Sequence, residues 1–268
     1  MINAKGIWKD IENMRSSRPL VHNITNYVVM NSTANALLAI GASPVMAHAQ
    51  EEAEDMAGLA SALVLNMGTL SPAWVSAMKM AQRKARSLGK PVIFDPVGAG
   101  ATAYRTAVAE EILAGGATVV RGNASEILSL ANAAGRTKGV DSTAKSDNAL
   151  SAAKKLLKHG AAAVTISGET DYILSGTATI TIRNGNTMMP LVTGLGCTAS
   201  ALTGAFAAVN PDPGSAAANA MAVMGICGEI AAGNSKGPGS FQTAFLDALY
   251  NITEKVIAAR LQAGIYGA

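Results

Sequence analysis

The feature that most constrains the fold of this chain is a regular alternation of short apolar runs with longer amphipathic segments. Alternation of this kind predicts parallel strands joined by crossover helices, as in an α/β domain. The predicted strands are Pro44–Ala47, Ala62–Met67, Pro91–Asp95, Ala117–Arg121 and Ala162–Ser167. The helices predicted between and around them are Asn31–Ile40, Glu51–Ser61, Ser71–Leu88, Ala103–Leu113, Ala124–Ala134 and Lys145–Lys158.

The second half of the chain departs from this pattern. Tyr172–Leu174 and Thr177–Ile182 are rich in Thr and Ile, and a glycine turn separates them, so we expect a small antiparallel edge on the sheet. Three helices are predicted to follow, over Cys197–Val209, Ser215–Gly233 and Ser240–Gln262. Because no linker, repeat or low-complexity segment interrupts the chain, we expect residues 1–268 to form a single domain.

Composition and charge exclude several classes of protein. With 49% hydrophobic residues the chain has ample material for a core, which excludes intrinsic disorder. Two cysteines exclude a disulfide scaffold. The net charge is only +3, and the basic residues are scattered rather than arranged in a stripe with aromatic residues. We therefore expect no nucleic-acid partner.

One stretch raises the question of a membrane span, because no charged residue lies between Arg183 and Asp212. That length exceeds the ~20 residues needed to cross a bilayer. However, Pro190, Gly194 and Gly196 interrupt any continuous apolar helix there, so we interpret it as buried strand, turn and helix. The N-terminus lacks the apolar core of a signal peptide. We expect no membrane association and a cytoplasmic location.

The strongest local motif is Thr193-Gly194-Leu195-Gly196-Cys197, which runs into a predicted helix. Two glycines before a helix leave backbone amides free to bind an anion such as a phosphate. The alternative is a tight turn into a buried helix, with Cys197 simply packed in the core. The spacing alone does not decide between these two interpretations. Neither a P-loop nor a complete dinucleotide-binding glycine pattern is present.

Polar residues also follow the predicted strands, where ligands bind in open α/β sheets. Asp95 could hold Mg²⁺, although an Asp-Pro turn is by itself the commoner explanation. Arg121 could clamp a phosphate, although solitary arginines after strands are ordinary. Asn123 and Glu126 have the spacing of a helix-capping box, which by itself explains both residues. Ser167 adds a hydroxyl at a fourth strand end, where it could equally belong to a turn.

Two residues near the N-terminus are candidates for contacts to a small ligand. Asn26 offers a hydrogen-bond donor and an acceptor, but an asparagine in this pattern is more often a helix cap. Met46 offers soft apolar contact, but a methionine beside a strand is more often part of the core.

Together these segments resemble the hydroxyethylthiazole kinase family of thiamine biosynthesis and salvage. The resemblance rests on six blocks that occur in order and span nearly the whole chain. Each block alone is unspecific, whereas six in register are highly specific. They are Pro19–Asn26, Gly41–Ala47, Asp95–Thr102, Arg121–Glu126, Gly194–Cys197 and Gly237–Phe241.

The resemblance implies a ribokinase-like layered α/β fold, with a central, mostly parallel sheet flanked by helices. It implies phosphorylation of 4-methyl-5-(2-hydroxyethyl)thiazole at its primary alcohol, with ATP as co-substrate and Mg²⁺ as cofactor. It further implies a homotrimer with the thiazole sites at subunit boundaries. The residues that match family positions are Asn26, Met46 and Gly194 for the thiazole, Arg121, Asn123, Ser167 and Gly196 for ATP, and Asp95 and Glu126 for the metal.

Cys197 matches the family's catalytic position, which larger ribokinase-like enzymes fill with Asp. A free thiol has a pKa near ~8.5, so little thiolate exists at neutral pH. A helix N-terminus would lower that pKa and nearby phosphates would raise it, which leaves the balance open. We expect Cys197→Asp to keep or raise kcat and Cys197→Ala to lower it moderately. Two alternatives stay open: an ATP-dependent hydrate-repair lyase on the same fold, and a non-catalytic thiazole or nucleotide sensor.

Overall fold

The computed structural model describes residues 2–135 and 145–267. Within them, nine strands form one sheet in the order β2-β1-β3-β4-β5-β6-β7-β8-β9. The strands from β2 to β6 are mutually parallel, whereas β7, β8 and β9 are antiparallel to their neighbours. Their bounds are β1 Leu20–Ile24, β2 Ser43–Val45, β3 Ala62–Asn66, β4 Val92–Asp95, β5 Val119–Asn123, β6 Ala163–Ser167, β7 Asp171–Ser175, β8 Ala178–Ile182 and β9 Ala263–Ile265.

Helices cover both faces of the sheet, and each face has its own apolar core. One layer comprises α1 Ala4–Ser17, α2 Met30–Ile40, α8 Leu195–Ala207, α9 Pro213–Gly233, α10 Pro238–Asn251 and α11 Glu254–Arg260. The other comprises α3 Ala53–Leu59, α4 Pro72–Ser87, α5 Ala103–Ala114, α6 Ala124–Gly135 and α7 Lys145–Lys158. The predicted α/β class, with a mostly parallel sheet and a small antiparallel edge, is confirmed.

Local sequence signals explain where many of these elements begin. In α4, the Ser71 hydroxyl accepts the Trp74 N–H and Pro72 occupies the first turn, where it costs no helical hydrogen bond. Buried strands such as β3 are apolar at every position before the last, as expected when both faces are covered by helices. Apart from the last predicted helix, the predicted strand and helix boundaries agree with the structure to within a few residues.

Four features of the fold differ from the prediction. Three elements, α1, β1 and β9, are absent from it. In β1 the buried polar residues His22 and Asn23 interrupt the apolar run, which hides the strand from a hydrophobicity pattern. The single helix predicted over Ser240–Gln262 is wrong: Ile252 is extended, and Thr253 caps a separate helix by accepting the Val256 N–H.

Helix α9 is long and apolar enough to cross a membrane by length and composition. In the structure, 78% of its apolar window is buried inside the protein. It packs against α8 and α10 and against the β6–β8 part of the sheet. Its apolar surface is therefore accounted for by the core of this chain.

Candidate active site

The carboxyl ends of the parallel strands bring most of the predicted site residues to one edge of the sheet. Asp95 ends β4 and Ser167 ends β6, and Asn26 lies two residues beyond β1. Asn66, which the sequence analysis did not single out, ends β3 and is the register partner of Asp95. This edge is where α/β sheets bind ligands.

A continuous hydrogen-bonded chain runs across three of these strand ends. Asn26 Nδ2 donates to Asn66 Oδ1 over 2.8 Å, and Asn66 Nδ2 donates to Asp95 Oδ2 over 2.7 Å. Asn26 Nδ2 also lies 3.5 Å from Cys197 Sγ. All three amide and carboxylate side chains are buried, so their contacts are made at low dielectric and fix one another's orientation.

Asp95 is the most deeply buried acidic group of this edge. Its Oδ2 accepts the Ser200 hydroxyl at 2.7 Å and lies 4.0 Å from the Arg121 guanidinium. Burial raises the pKa of Asp95 to about 6, against the opposing effects of Arg121 and Ser200. Its Oδ1 is buried and has no hydrogen-bond partner among the described residues. A buried carboxylate oxygen left in this way is available to a cation or to an ordered water.

The glycine motif forms the start of α8. Gly194 is the N-terminal cap, with φ of 87°, and a Cβ there would lie 2.6 Å from Val29 Cγ1. Only glycine satisfies both the left-handed backbone and this close approach. The helix begins at Leu195, two residues earlier than predicted, so Gly196 and Cys197 belong to its first turn. Because the first N–H groups of a helix have no partner within it, this turn presents backbone donors at its positive end.

Cys197 is largely protonated at neutral pH in this environment. Burial raises the pKa of its thiol to about 11, and the negative charge of Asp95 acts in the same direction. The side-chain amides of Asn66 and Asn26, together with Arg121, lower the pKa but do not offset these effects. In this environment Cys197 is a poor proton acceptor.

Arg121 links the carboxylate region to the end of β6. Its Nη2 donates to Ser167 Oγ at 2.7 Å, and Ser167 Oγ in turn lies 3.3 Å from the Gly122 carbonyl. Its Nη1 would lie 3.1 Å from a Cβ placed on Gly196, so the guanidinium sits directly against the start of α8. Arg121 Nε is buried without a partner among the described residues. The positive charge and the helix amides thus face the same space.

Asn123 and Glu126 form the capping box that their spacing predicts. Asn123 Oδ1 accepts the Glu126 N–H at 3.0 Å, and Glu126 Oε2 accepts the Asn123 N–H at 2.9 Å. Glu126 Oε1 additionally accepts the N–H of Gly98, in the turn that follows Asp95, at 3.0 Å. Glu126 therefore ties the end of β5 to the end of β4, and each of its oxygens retains a second lone pair.

A cavity of about 900 Å³ opens beside this cluster. Arg121, Asn123, Ser167 and Gly196 line one part of it, beside Gly194. Residues that the sequence analysis missed line the rest, among them Asp171, Arg183, Met221, Met224 and the Asn184–Pro190 segment. Burial raises the pKa of Asp171 to about 6, and its Oδ1 accepts the Gly168 N–H at 3.0 Å. Apolar and polar side chains both line the cavity, as in small-molecule and cofactor sites.

Two of the predicted thiazole-contacting residues, Asn26 and Met46, do not line this cavity. Met46 follows β2 at the outer edge of the sheet and is half-buried. Close to Asn26, Tyr27 and Val28 expose 66% and 64% of their surface, and His48 stacks on Trp74 with ring centroids 4.1 Å apart. This side of the site is open to solvent in the single chain.

The residues fit a magnesium ion that is held largely by a nucleotide. Among the described residues, no three His, Cys, Asp or Glu side chains cluster closely enough to hold a metal by themselves. Asp95 nevertheless supplies the unpartnered buried oxygen noted above, and Mg²⁺ commonly binds through one or two carboxylates together with waters and phosphates.

The model of the hydroxyethylthiazole kinase family matches residues 11–255. A hydroxyethylthiazole kinase of Syntrophus aciditrophicus is 59% identical over 263 residues, with 97% of both chains covered. One from Leptospira biflexa is 58% identical over 260 residues, again with 97% of both chains covered.

Solved structures agree with these matches. A hydroxyethylthiazole kinase structure from Pyrococcus horikoshii superposes with a TM-score of 0.91 at 44% identity, covering 97% of this chain and 99% of that one. A pyridoxal kinase from Staphylococcus aureus, solved with AMP-PCP and pyridoxal, reaches a TM-score of 0.60 at 18% identity. It covers 79% of this chain and 88% of its own, and at that identity it shows a shared fold only.

Proposed function

Because the chain belongs to the hydroxyethylthiazole kinase family, we propose that the strand-end site described above carries out the phosphoryl transfer of that family. The protein is a kinase that uses ATP to phosphorylate the primary alcohol of 4-methyl-5-(2-hydroxyethyl)thiazole in thiamine biosynthesis. We also treat residues 1–268 as one kinase domain and the cytoplasm as its location.

In this proposal ATP occupies the cavity beside Arg121. Its phosphates lie next to the Arg121 guanidinium and the start of α8. Arg121 and the first amides of α8, including that of Gly196, bind phosphate oxygens there. Ser167 and Asn123 contribute polar contacts from the neighbouring strand ends. Phosphoryl transfer proceeds through a loose transition state, so catalysis depends mainly on positioning and on neutralising charge. Fixed N–H donors and a buried guanidinium supply that stabilisation.

Asp95 and Glu126 are the residues that would hold Mg²⁺ with the nucleotide. The ion, when bound, supplies positive charge against the phosphate oxygens. Asp95 contributes the unpartnered Oδ1, and its other oxygen is held by Ser200. Glu126 contributes through a free lone pair or a bridging water, because backbone N–H groups already occupy one site on each oxygen.

The thiazole alcohol occupies the space on the other side of Gly194, between Asn26 and Met46. Cys197 faces this space as a neutral thiol and accepts the Asn26 amide. A general base typically contributes ~10²–10⁴-fold to a rate, so a site without a strong base remains an active but slow enzyme. We assign Cys197 the role of a neutral side chain at the start of the anion-binding helix.

The observation that carries this proposal is the convergence of Arg121, Asp95 and the first turn of α8 on one cleft. The product test is ³¹P NMR of a reaction with ATP, Mg²⁺ and the thiazole alcohol, with pyridoxal in a parallel sample. A new phosphomonoester in equal amount to ADP, formed from the thiazole alone, supports the proposal. Phosphorylation of pyridoxal in preference to the thiazole would overturn the substrate assignment.

We further propose that three copies assemble with the thiazole sites at their boundaries. The exposure of Tyr27 and Val28, which directly follow Asn26 in the chain, supports an additional wall from a second copy. Light scattering across a dilution series tests this. A mass of three chains, with specific activity falling as the assembly dissociates, is expected. A fully active monomer would contradict it.

A further inference from the structure

Hydrogen-bond polarity fixes which way the Asn66 side chain faces. Gly68 N–H lies 2.9 Å from one atom of the Asn66 amide, and a backbone N–H can only donate. That atom must therefore be Oδ1, which places Nδ2 towards Asp95 Oδ2 at 2.7 Å. The bond to Gly68 spans two residues, as in an Asx turn, so the local sequence Asn66-Met67-Gly68 sets the orientation.

The orientation of Asn66 determines that of Asn26 in turn. Because Asn66 Oδ1 can only accept, the Asn26 atom facing it at 2.8 Å must be Nδ2. The same Nδ2 group also donates to Cys197 Sγ, so both of its hydrogens have acceptors. Asn26 Oδ1 remains, and no hydrogen-bond donor of the described residues reaches it.

We propose that Asn66 is a positioning residue of the phosphoryl transfer: it holds Asn26 so that Asn26 Oδ1 accepts the hydroxyl hydrogen of the acceptor alcohol. This inference rests on the proposed function. The hydrogen bond leaves a lone pair of the alcohol oxygen free to attack phosphorus. ADP leaves with the electron pair of the P–O bond that breaks, and the hydroxyl proton passes to an oxygen of the transferred phosphoryl group. The arrangement also couples the alcohol to the metal-binding region, since Asn66 contacts Asp95 as well.

Gly68 supports the same arrangement by its lack of a side chain. A Cβ at this position would lie 2.3 Å from Asn26 Nδ2 and 2.5 Å from its Cγ. The backbone of Gly68 lies outside the left-handed region, so alanine would meet a steric obstacle rather than backbone strain. Gly68→Ala is therefore a second way to displace Asn26 while keeping Asn66.

The first test is a double-mutant cycle on kcat. Asn66→Ala should lower kcat by about 10²-fold, since small misplacements of a reacting group cost this much, with ATP affinity nearly unchanged. In an Asn26→Ala background the same change should cost no more than Ser200→Ala does, because only the loss of one donor to Asp95 Oδ2 then remains. Ser200→Ala is the matched control: it removes the other donor to Asp95 Oδ2 without touching Asn26, so its effect should multiply with that of Asn26→Ala.

The second test measures discrimination in binding. The wild type should bind the thiazole alcohol about tenfold more tightly than its 5-ethyl analogue, which lacks the hydroxyl. Asn66→Ala and Gly68→Ala should both bring that ratio close to one. If the role of Asn66 were purely structural, its replacement would weaken the binding of both ligands alike, and the ratio of the two affinities would not change.

Two results would overturn the inference. One is that the effects of Asn66→Ala and Asn26→Ala on kcat multiply, and the other is that Asn66→Ala and Gly68→Ala both leave the binding ratio unchanged. If Asn66→Ala does not fold, Gly68→Ala decides by the same criteria. A wild-type enzyme that never phosphorylates the thiazole would instead defeat the proposed function. The two failures are therefore distinguishable.

Discussion

The Ser200 hydroxyl donates to Asp95 Oδ2 across 2.7 Å, which joins the helix behind the glycine turn to the carboxyl end of β4. The anion-binding turn and the buried carboxylate are thus parts of one rigid unit. Since Arg121 lies against both, the positive and negative groups of the site keep fixed positions before any ligand binds. Preorganisation of this kind is what makes fixed dipoles effective in catalysis.

Replacing Cys197 by alanine should reduce kcat by less than about 10²-fold, below or at the lower end of the range for loss of a general base. The reason is that burial and Asp95 raise the pKa of the thiol to about 11, so little thiolate exists at pH 7.5. Steady-state kinetics with saturating ATP provide the measurement.

The pH at which Cys197 is alkylated by iodoacetamide serves as the control, with modified peptides identified by mass. Reaction at Cys197 should rise only well above pH 9 if its pKa lies near 11. A kcat loss beyond about 10⁴-fold, with folding and ATP binding intact, would mean that Cys197 is the base after all.

The Arg121 guanidinium should be needed more for its geometry than for its charge. Arg121→Lys keeps a positive charge but cannot span Ser167 and the start of α8 together, so it should recover only part of the activity lost in Arg121→Ala. We expect kcat/KM for ATP to fall about 10²–10³-fold in the alanine variant, as for loss of one oxyanion donor.

Ser167→Ala is the matched variant for this pair, because it removes only the 2.7 Å partner of Arg121. Its effect should be much smaller than that of Arg121→Ala. Equal activity of Arg121→Lys and wild type would show that charge alone suffices.

Gly194→Ala should impair both stability and activity, because the new Cβ meets Val29 and the left-handed backbone disfavours it. Adding Val29→Ala relieves the contact but not the backbone strain, so the double variant should recover only part of the melting temperature. Gly89→Ala isolates the strain: its φ is 67° and a Cβ would have no neighbour within 4 Å. Full recovery in the double variant would contradict the requirement for a left-handed residue.

Asp171 predicts a pH dependence of stability. Its folded pKa of about 6 exceeds the unfolded value of 3.8 because of burial, so the folded state binds the proton more tightly. Its stabilising contribution is complete below the unfolded pKa and is lost as pH rises through about 6. Asp171→Asn keeps an oxygen that can accept the Gly168 N–H but cannot ionise. Its folding stability relative to the wild type should therefore be higher at pH 8 than at pH 5.

Thermal melting at the two pH values measures this difference. Glu169→Gln, which removes an exposed charge from the same turn, controls for charge alone. A difference between wild type and Asp171→Asn that does not change with pH would contradict the prediction.

Much of the fold could be predicted from the sequence because periodicity and capping are local signals. The capping box of Asn123 and Glu126 and the start of α4 at Ser71-Pro72 both occur as predicted. The break at Ile252 was missed, although Thr253 followed by Glu254 is itself a helix-start pattern. Apolar residues at helical spacing on both sides of the break, Leu249, Ile252 and Val256, concealed that signal.

The candidate site was only partly predictable, and Asn66 shows why. It is a single polar residue at the end of an apolar strand, and nothing in its own neighbourhood marks it as functional. Its importance comes from register: β3 places it beside Asp95, which is 29 residues away in the chain. The apolar wall of the cavity, at Met221 and Met224, was hidden for the same reason, since α9 resembles an ordinary core helix.

The most direct test of the whole account is a coupled ADP-release assay with ATP and Mg²⁺, with and without the thiazole alcohol, on the wild type and on Asp95→Asn. The account predicts thiazole-dependent ADP release by the wild type, matched by phosphorylated thiazole, and its loss in Asp95→Asn with the protein still folded. ADP release that is independent of the thiazole, or an Asp95→Asn enzyme as active as the wild type, would contradict it.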